Sequence, residues 1–308
     1  KTHMSVELTV VICTHNPRED YLGRTLEALR KQTLPYEQWD FLVVDNASEP
    51  PLSERLDLSW HPQSRIVEEP ELGILPCRIR GLTETKTPLV LFVDDDNVLA
   101  ENYLEESMRI GAEYPLMGTW GGSMIAEYEC PPPEWIGEFS NLLACRKVDK
   151  IRWTNFIMIP TAGMCLRREI ADEFVRRVQG DPRRKHLGRR GKEGLTNAED
   201  EDLALTASDL KFSIGSFPSL SMKHLISAGR LELDYLIRLR EGTDFSVMIL
   251  HALRGDPPQA VETSPLRTWI GGMRRKLFWK QRERLLFEAN MRARKRACEV
   301  IAEWGENE

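Results

Sequence analysis

No two of the six cysteines (Cys13, Cys77, Cys130, Cys145, Cys165 and Cys298) form a C-x-x-C pair. That argues against a zinc ribbon or a disulfide framework and fits a reducing compartment. No run of roughly 18 or more apolar residues is present, so no transmembrane helix is expected. The net charge is −6, without the positive excess of a nucleic-acid-binding chain, so no nucleic-acid partner is expected. Lys1-Thr2-His3-Met4 lacks the apolar core of a signal peptide. The segment Thr14 to Glu19, after the first apolar run, contains no glycine. A G-x-G-x-x-G dinucleotide fingerprint is therefore missing there, which disfavours a dehydrogenase.

What is present centres on Leu89-Val90-Leu91-Phe92-Val93-Asp94-Asp95-Asp96-Asn97. The apolar run fits a strand buried on both faces of a parallel sheet. Adjacent carboxylates cannot be buried unpaired, so they belong at the strand's exit. In open α/β sheets that exit is where ligands bind. Asp94 and Asp96 form an Asp-x-Asp pair of hard oxygen ligands, suited to Mg²⁺ or Mn²⁺ carrying substrate phosphates. The plainer reading is a solvated turn or helix N-cap, since Glu101, Glu105 and Glu106 begin a helical pattern just beyond.

Upstream, Glu7 to Cys13 reads as a first strand ending in Thr14-His15-Asn16-Pro17. Thr14 and Asn16 can hold a base or sugar, or simply cap the helix carrying Leu22, Leu26 and Leu29. Phe41 to Asn46 is a second strand, Ile66-Val67 a short edge strand, and Ile74 to Lys86 a helix carrying Arg78. This β-α-β-(β)-α-β order predicts an α/β fold, a mainly parallel sheet with helices on both faces.

Downstream, a helix is predicted over Asn102–Glu113, a strand over Met117–Ser123, a rigid loop at Cys130–Trp135 and a helix from Arg168 to Val178. Residues 181–196 form a basic, glycine-containing loop, either a phosphate lid or a solvated mobile loop. Glu199-Asp200-Glu201-Asp202 opens a helical run, which the helix dipole alone would favour. Phe212–Gly215 and Ser219–His224 read as short strands, and Leu231–Arg240 and Phe245–Leu253 as helices. Residues 265–297 hold eleven Lys or Arg against two Glu, interleaved with Trp269, Ile270, Met273, Leu277 and Phe278. Such a basic amphipathic helix lies on an anionic membrane surface or packs on the main domain or a second subunit.

Together these segments resemble the family 2 inverting glycosyltransferases, which have the GT-A fold, over roughly residues 5–240. Val10 to Asn16 resembles the opening strand and base-binding loop. Val43-Val44-Asp45-Asn46 is similar to the second-strand motif, whose Asp contacts the donor. Gly73, Cys77-Arg78 and Gly81 are similar to the glycine–arginine helix, with Glu71 and Ile79 in place of asparagines. Phe92 to Asn97 matches the D-x-D element. Glu199-Asp200 resembles the E-D motif with its catalytic base at Asp200, and His224 stands where many members complete the metal site.

The resemblance implies a Rossmann-like GT-A domain over residues 5–254; the tail over 255–308 lies outside the resemblance and is expected to be a basic amphipathic helical extension. It implies metal-dependent, inverting transfer of a sugar from a nucleotide-sugar donor, expected to be UDP-linked, to a hydroxyl acceptor. Asp200 is the expected base. Thr14, Asn16, Asp45, Arg78 and Asp94 are the expected donor contacts, and Asp96 and His224 the ligands of Mn²⁺ or Mg²⁺. Trp120, Gly121, Gly122, Trp153 and Gly163 are candidates for an acceptor wall, because sugars stack on aromatic faces and glycine permits close approach. A glycan or lipid-linked acceptor in polysaccharide or glycoconjugate synthesis is expected. So is a cytoplasmic location, with residues 265–304 contacting the inner membrane face or mediating self-association. The rivals are a sugar-phosphate nucleotidyltransferase and a non-catalytic nucleotide-sugar-binding module. The former is expected to carry a glycine-rich N-terminal loop, and the latter leaves residues 199–202 without a role.

Overall fold

The structure is a computed structural model that describes residues 6–155, 159–190, 193–259 and 279–305. They divide into two compact units.

The first unit spans residues up to 182 together with 199–228. Strands β1 (Leu8–Thr14), β2 (Trp39–Asp45), β3 (Ser64–Glu68) and β4 (Leu89–Val93) stand in the order β3-β2-β1-β4, all parallel. The sheet continues through β5 (Asn97–Leu99), β6 (Met117–Tyr128), β7 (Arg152–Thr154), β8 (Cys165–Arg167) and β11 (Ser213–Ile226). β8 runs antiparallel between β4 and β6, β6 and β11 are parallel, and β5 and β7 pair antiparallel with β11.

Helices cover both faces, and side-chain alternation decides which residues meet which layer. Leu8, Val10 and Ile12 of β1 pack with Leu22, Leu26 and Leu29 of α1 (Glu19–Arg30) and with Tyr103, Leu104 and Ile110 of α3 (Tyr103–Glu113). Val11 and Cys13 point the other way. They pack with α2 (Ile74–Glu84), α4 (Arg168–Gly180) and α5 (Glu199–Asp209). Gly81 of α2 lies so close to β1 that a Cβ there would fall 2.7 Å from Val11 Cγ1.

Two pairs of predicted elements merge. Phe212–Gly215 and Ser219–His224 lie in one irregular strand, β11, whose register shifts between Ser216 and Ser221. Leu231–Arg240 and Phe245–Leu253 are a single helix, α6 (Leu233–Leu253). Its Gly242 interrupts the apolar pattern because helix and strand backbones meet there: a Cβ would fall 2.5 Å from the Leu195 backbone.

The second unit comprises residues 183–198 and 229–308. The basic segment forms a two-stranded ribbon of β9 (Gly188–Arg190) and β10 (Glu193–Asn197), with β10 packed on α6. Helix α7 (Gln281–Gly305) also packs on α6 and buries Ala289, Ala293 and Ala297 at four-residue spacing. Asn290 Nδ2 donates to Asp244 Oδ2 at 2.7 Å, and Arg292 pairs with Glu241 at 2.8 Å. In this compact unit α6 and the 183–198 ribbon group with α7. Trp269, Ile270, Met273, Leu277 and Phe278 lie outside the described residues. Among the described residues, no helix is long and apolar enough to cross a membrane.

Candidate active site

The parallel strands β1, β2 and β4 end together, so Thr14, Asp45 and the Asp94–Asp96 turn share one edge of the sheet. The antiparallel strand β8 delivers the segment before it to the same edge: Gly163 N–H donates to the Phe92 carbonyl at 2.8 Å. From the far side, β11 pairs His224 with Asn97. Distant parts of the chain thus converge where an open α/β sheet places its ligand crevice.

Asp96 and His224 meet there. His224 Nε2 lies 3.5 Å from Asp96 Oδ2, and both side chains are largely buried. His224 Nδ1 is 3.1 Å from the Leu143 carbonyl. A carbonyl only accepts, so Nδ1 carries the proton and Nε2 faces the carboxylate. Two ligand atoms each about 2.1 Å from a shared divalent cation stand about 3 to 3.5 Å apart, so this pair has the spacing and donor chemistry for one. Among the described residues no group of three or more His, Cys, Asp or Glu is gathered as a complete metal cluster. Substrate phosphates ordinarily complete such two-ligand sites.

A second constellation stands beside it. Arg78, buried on α2, directs Nη1 to Glu199 Oε1 at 2.6 Å and to Asp200 Oδ1. Thr161 Oγ donates to the same Asp200 Oδ1 at 2.6 Å. Burial opposes the charge on Arg78, but Asp200, Glu199 and Asp94 outweigh it and hold the guanidinium cationic. Burial pushes the Glu199 carboxyl up to about 8 against the pull of Arg78, with Asp200 and Asp94 adding to the rise. Burial likewise pushes Asp94 up to about 6; Arg78 and His224 oppose this, while Asp96 and Asp200 reinforce it. Asp94, Asp96, Glu199 and Asp200 thus share one field with Arg78 and His224. Carboxylates outnumber the cations, which favours binding of a further positive charge.

At the exit of β2, Asp45 is buried and accepts the backbone N–H groups of Ser48 (3.1 Å) and Leu52 (2.7 Å) on separate oxygens. It orders the loop after β2 as well as facing the crevice edge. Asn16 is exposed, in left-handed backbone conformation (φ 46°), and its Oδ1 accepts the Glu49 N–H. Thr14 donates to Asp95, whose carbonyl accepts Thr25 Oγ. The middle acid of the D-x-D element therefore ties the turn to β1 and α1.

The acceptor-wall candidates fall in different settings. Trp120 is fully buried in the core, with its ring against Gly111. Trp153 is exposed, but it sits on β7, which pairs with the start of β11, whereas His224 lies toward the end of that long strand. Gly121 and Gly122 accommodate Ile159 and the Leu220 backbone. Gly163 adopts φ +77°, where a Cβ would meet Met222 and Tyr103, and its carbonyl accepts the Tyr103 hydroxyl at 2.7 Å. At these glycines the missing Cβ leaves room for internal neighbours. Arg78 Nη1 is engaged by Glu199 and Asp200. Thr161 was not singled out at all: it lies 39 positions from Asp200 in sequence, and nothing local marks it.

The glycosyl transferase family 2 model matches residues 9–175, more than half of the chain. No curated protein matches the sequence. Among solved structures, S. aureus TarS 1-349 in complex with UDP-GlcNAc is similar at 15% identity and TM-score 0.53, over 96% of this chain and 81% of that one. The mannosyltransferase PcManGT from Pyrobaculum calidifontis, in complex with GDP-Man and Mn2+, is similar at 18% identity and TM-score 0.56, over 97% and 75%. The chain spans 44% of the length of a longer S. aureus TarS structure, matched over 89% of this chain at 16% identity and TM-score 0.49. The matched segment carries β1, β2, the Asp94–Asp96 turn and Arg78, and the chain, with its GT-A-like fold, belongs to glycosyl transferase family 2.

Proposed function

We propose that the chain is a metal-dependent, inverting glycosyltransferase that uses a UDP-linked sugar and delivers it to a hydroxyl of a glycan or lipid-linked acceptor. The observation that carries this reading is the pairing of Asp96 with His224 beside the separate Arg78–Asp200 group. One site suits a leaving diphosphate and the other a proton acceptor.

In a single displacement, the acceptor oxygen bonds to the anomeric carbon as the bond from that carbon to the diphosphate oxygen breaks. The diphosphate leaves with the electron pair, and the acceptor's proton passes to Asp200. No enzyme nucleophile is needed. Asp96 and His224 would hold Mn²⁺ or Mg²⁺, which when bound neutralises charge developing on the leaving diphosphate. Asp94, beside Asp96, binds the donor. Thr14, Asn16 and Asp45 line the base and ribose side, where Asp45 retains acceptor capacity beyond its two backbone bonds. Arg78 sets the charge of the base pocket. The basic composition of residues 265–304 supports an acceptor presented at the inner face of a membrane.

A thermal-shift panel tests the reading: UDP, GDP, UDP-N-acetylglucosamine and GDP-mannose, each with Mn²⁺ and with chelator. Stabilisation by the uridine compounds only with metal is expected. A guanosine preference would overturn the UDP assignment, and metal-independent stabilisation the metal requirement.

A further inference from the structure

Asp200 is held in an uneven way. Its Oδ1 receives two donors, the Arg78 guanidinium and the Thr161 hydroxyl, the latter at 2.6 Å. Among the described residues no group donates to Oδ2. The side chain of Asp200 is 21% exposed, whereas those of Arg78 and Glu199 are 6% and 4% exposed. Thr161 is fully buried. Its place is set by the tight turn into β8, where Met164 N–H donates to the Thr161 carbonyl at 2.9 Å and Gly163 N–H to Phe92.

We propose that Thr161 is a positioning residue for the base: with Arg78 it clamps Asp200 Oδ1, which fixes the carboxylate plane and leaves Oδ2 as the atom that takes the acceptor proton. The inference rests on the functional reading above. A carboxylate free to turn about its Cβ–Cγ bond would present either oxygen in many directions. Two donors on one oxygen remove that freedom, and the reacting oxygen is oriented before substrate arrives. Charge selects the same arrangement. Asp200 shares its surroundings with Glu199 on its own helix and Asp94 at the β4 exit, with Asp96 and His224 acting on Asp94 in turn. Arg78 and Thr161 are the two donors that meet the Asp200 carboxylate. Arg78 supplies charge and is shared with Glu199 at 2.6 Å. Thr161 supplies direction, because its hydroxyl approaches from the β8 side rather than from α2.

The balance of the step is unchanged. The acceptor O–H bond breaks, its proton bonds to Oδ2, and the electron pair of the sugar–phosphate bond departs with the diphosphate.

The test compares Thr161→Val, which keeps shape and removes the donor, with Thr161→Ser, which keeps the hydroxyl. Hydrolysis of UDP-N-acetylglucosamine and GDP-mannose, with water as acceptor, is measured across pH, and UDP affinity with Mn²⁺ by calorimetry. In Thr161→Val, kcat is expected to fall about tenfold or more, the value of one lost hydrogen bond to a charged group. The acid limb of the kcat profile is expected to move to higher pH, with donor KM and UDP affinity within about twofold. Thr161→Ser is expected to recover most of kcat. Equal loss in both variants, or a rise in KM alone, would overturn the proposal. Crystal structures of both variants give a readout that needs no turnover: the Asp200 carboxylate should rotate in the valine variant and keep its plane in the serine variant. An unrotated carboxylate in the valine variant overturns the clamp even if no donor is hydrolysed. Absence of nucleotide binding in the wild type would instead sink the functional reading. If valine prevents folding, Thr161→Ala is measured in the same way.

Discussion

His224 Nε2 faces Asp96 Oδ2 across 3.5 Å, with its other ring nitrogen directed at the Leu143 carbonyl. The backbone contact sets the tautomer, so the imidazole presents a lone pair to a carboxylate unless a proton or a metal ion comes between them.

Asp96→Ala and His224→Ala should therefore lose the metal-dependent part of UDP binding. Calorimetry with Mn²⁺ should show affinity falling about tenfold or more, to the level that wild type shows with chelator. Retention of metal-dependent affinity in both variants would remove these residues from the metal site.

Asp200→Asn keeps shape but cannot take a proton. Turnover should drop by about a hundredfold or more while UDP affinity with Mn²⁺ stays close to wild type. Normal turnover in this variant would exclude Asp200 as the base.

Glu199 predicts a pH slope in stability. Its folded value, about 8, lies above the ordinary 4.5. Between those values the folded chain holds a proton that the unfolded chain has released. The associated stability is complete below the unfolded value and is lost as pH rises through the folded one. Glu199→Gln mimics the protonated form, so its melting temperature should decline less than that of wild type from about pH 5 to pH 8. Parallel curves would show that Glu199 stays ionised.

His61 predicts the opposite slope. It is buried among Tyr36, Trp39, Phe41 and Trp60, and burial lowers it from 6.5 to about 4. The unfolded chain takes up a proton first as pH falls. The stability conferred by neutral His61 is present above about pH 6.5 and is lost on acidification through about pH 4. His61→Phe should flatten the acid limb of the melting curve. Acid sensitivity equal to wild type would place its origin elsewhere.

Much of the site was legible because its motifs sit at strand ends. An apolar run followed by acids fits a buried strand with the acids at its exit, which places Asp94, Asp96 and Asp45 at the sheet edge. The order of parallel β1 to β4 likewise follows from alternating apolar runs and helical periodicities. The surroundings of the acceptor-wall candidates were not legible for a physical reason: Trp and Gly serve equally as core and as platform, and only neighbours distinguish the roles. Trp120 meets Gly111 in the core, and Gly163 meets Tyr103 and Met222. That residues 183–198 group with α6 and α7 was not legible, because the contacts joining them are distant in sequence.

By itself, then, the sequence determined the α/β architecture, the sheet-edge placement of the acids and the membership of Asp200 in the acidic helix start. Those follow from local pattern and the cost of burying charge. Only the tertiary structure decided the partnerships: His224 with Asp96, Arg78 with Glu199 and Asp200, and Thr161 with the base. Each joins residues from different elements, and hydrogen-bond geometry exists only once the sheet has brought those elements to a common edge.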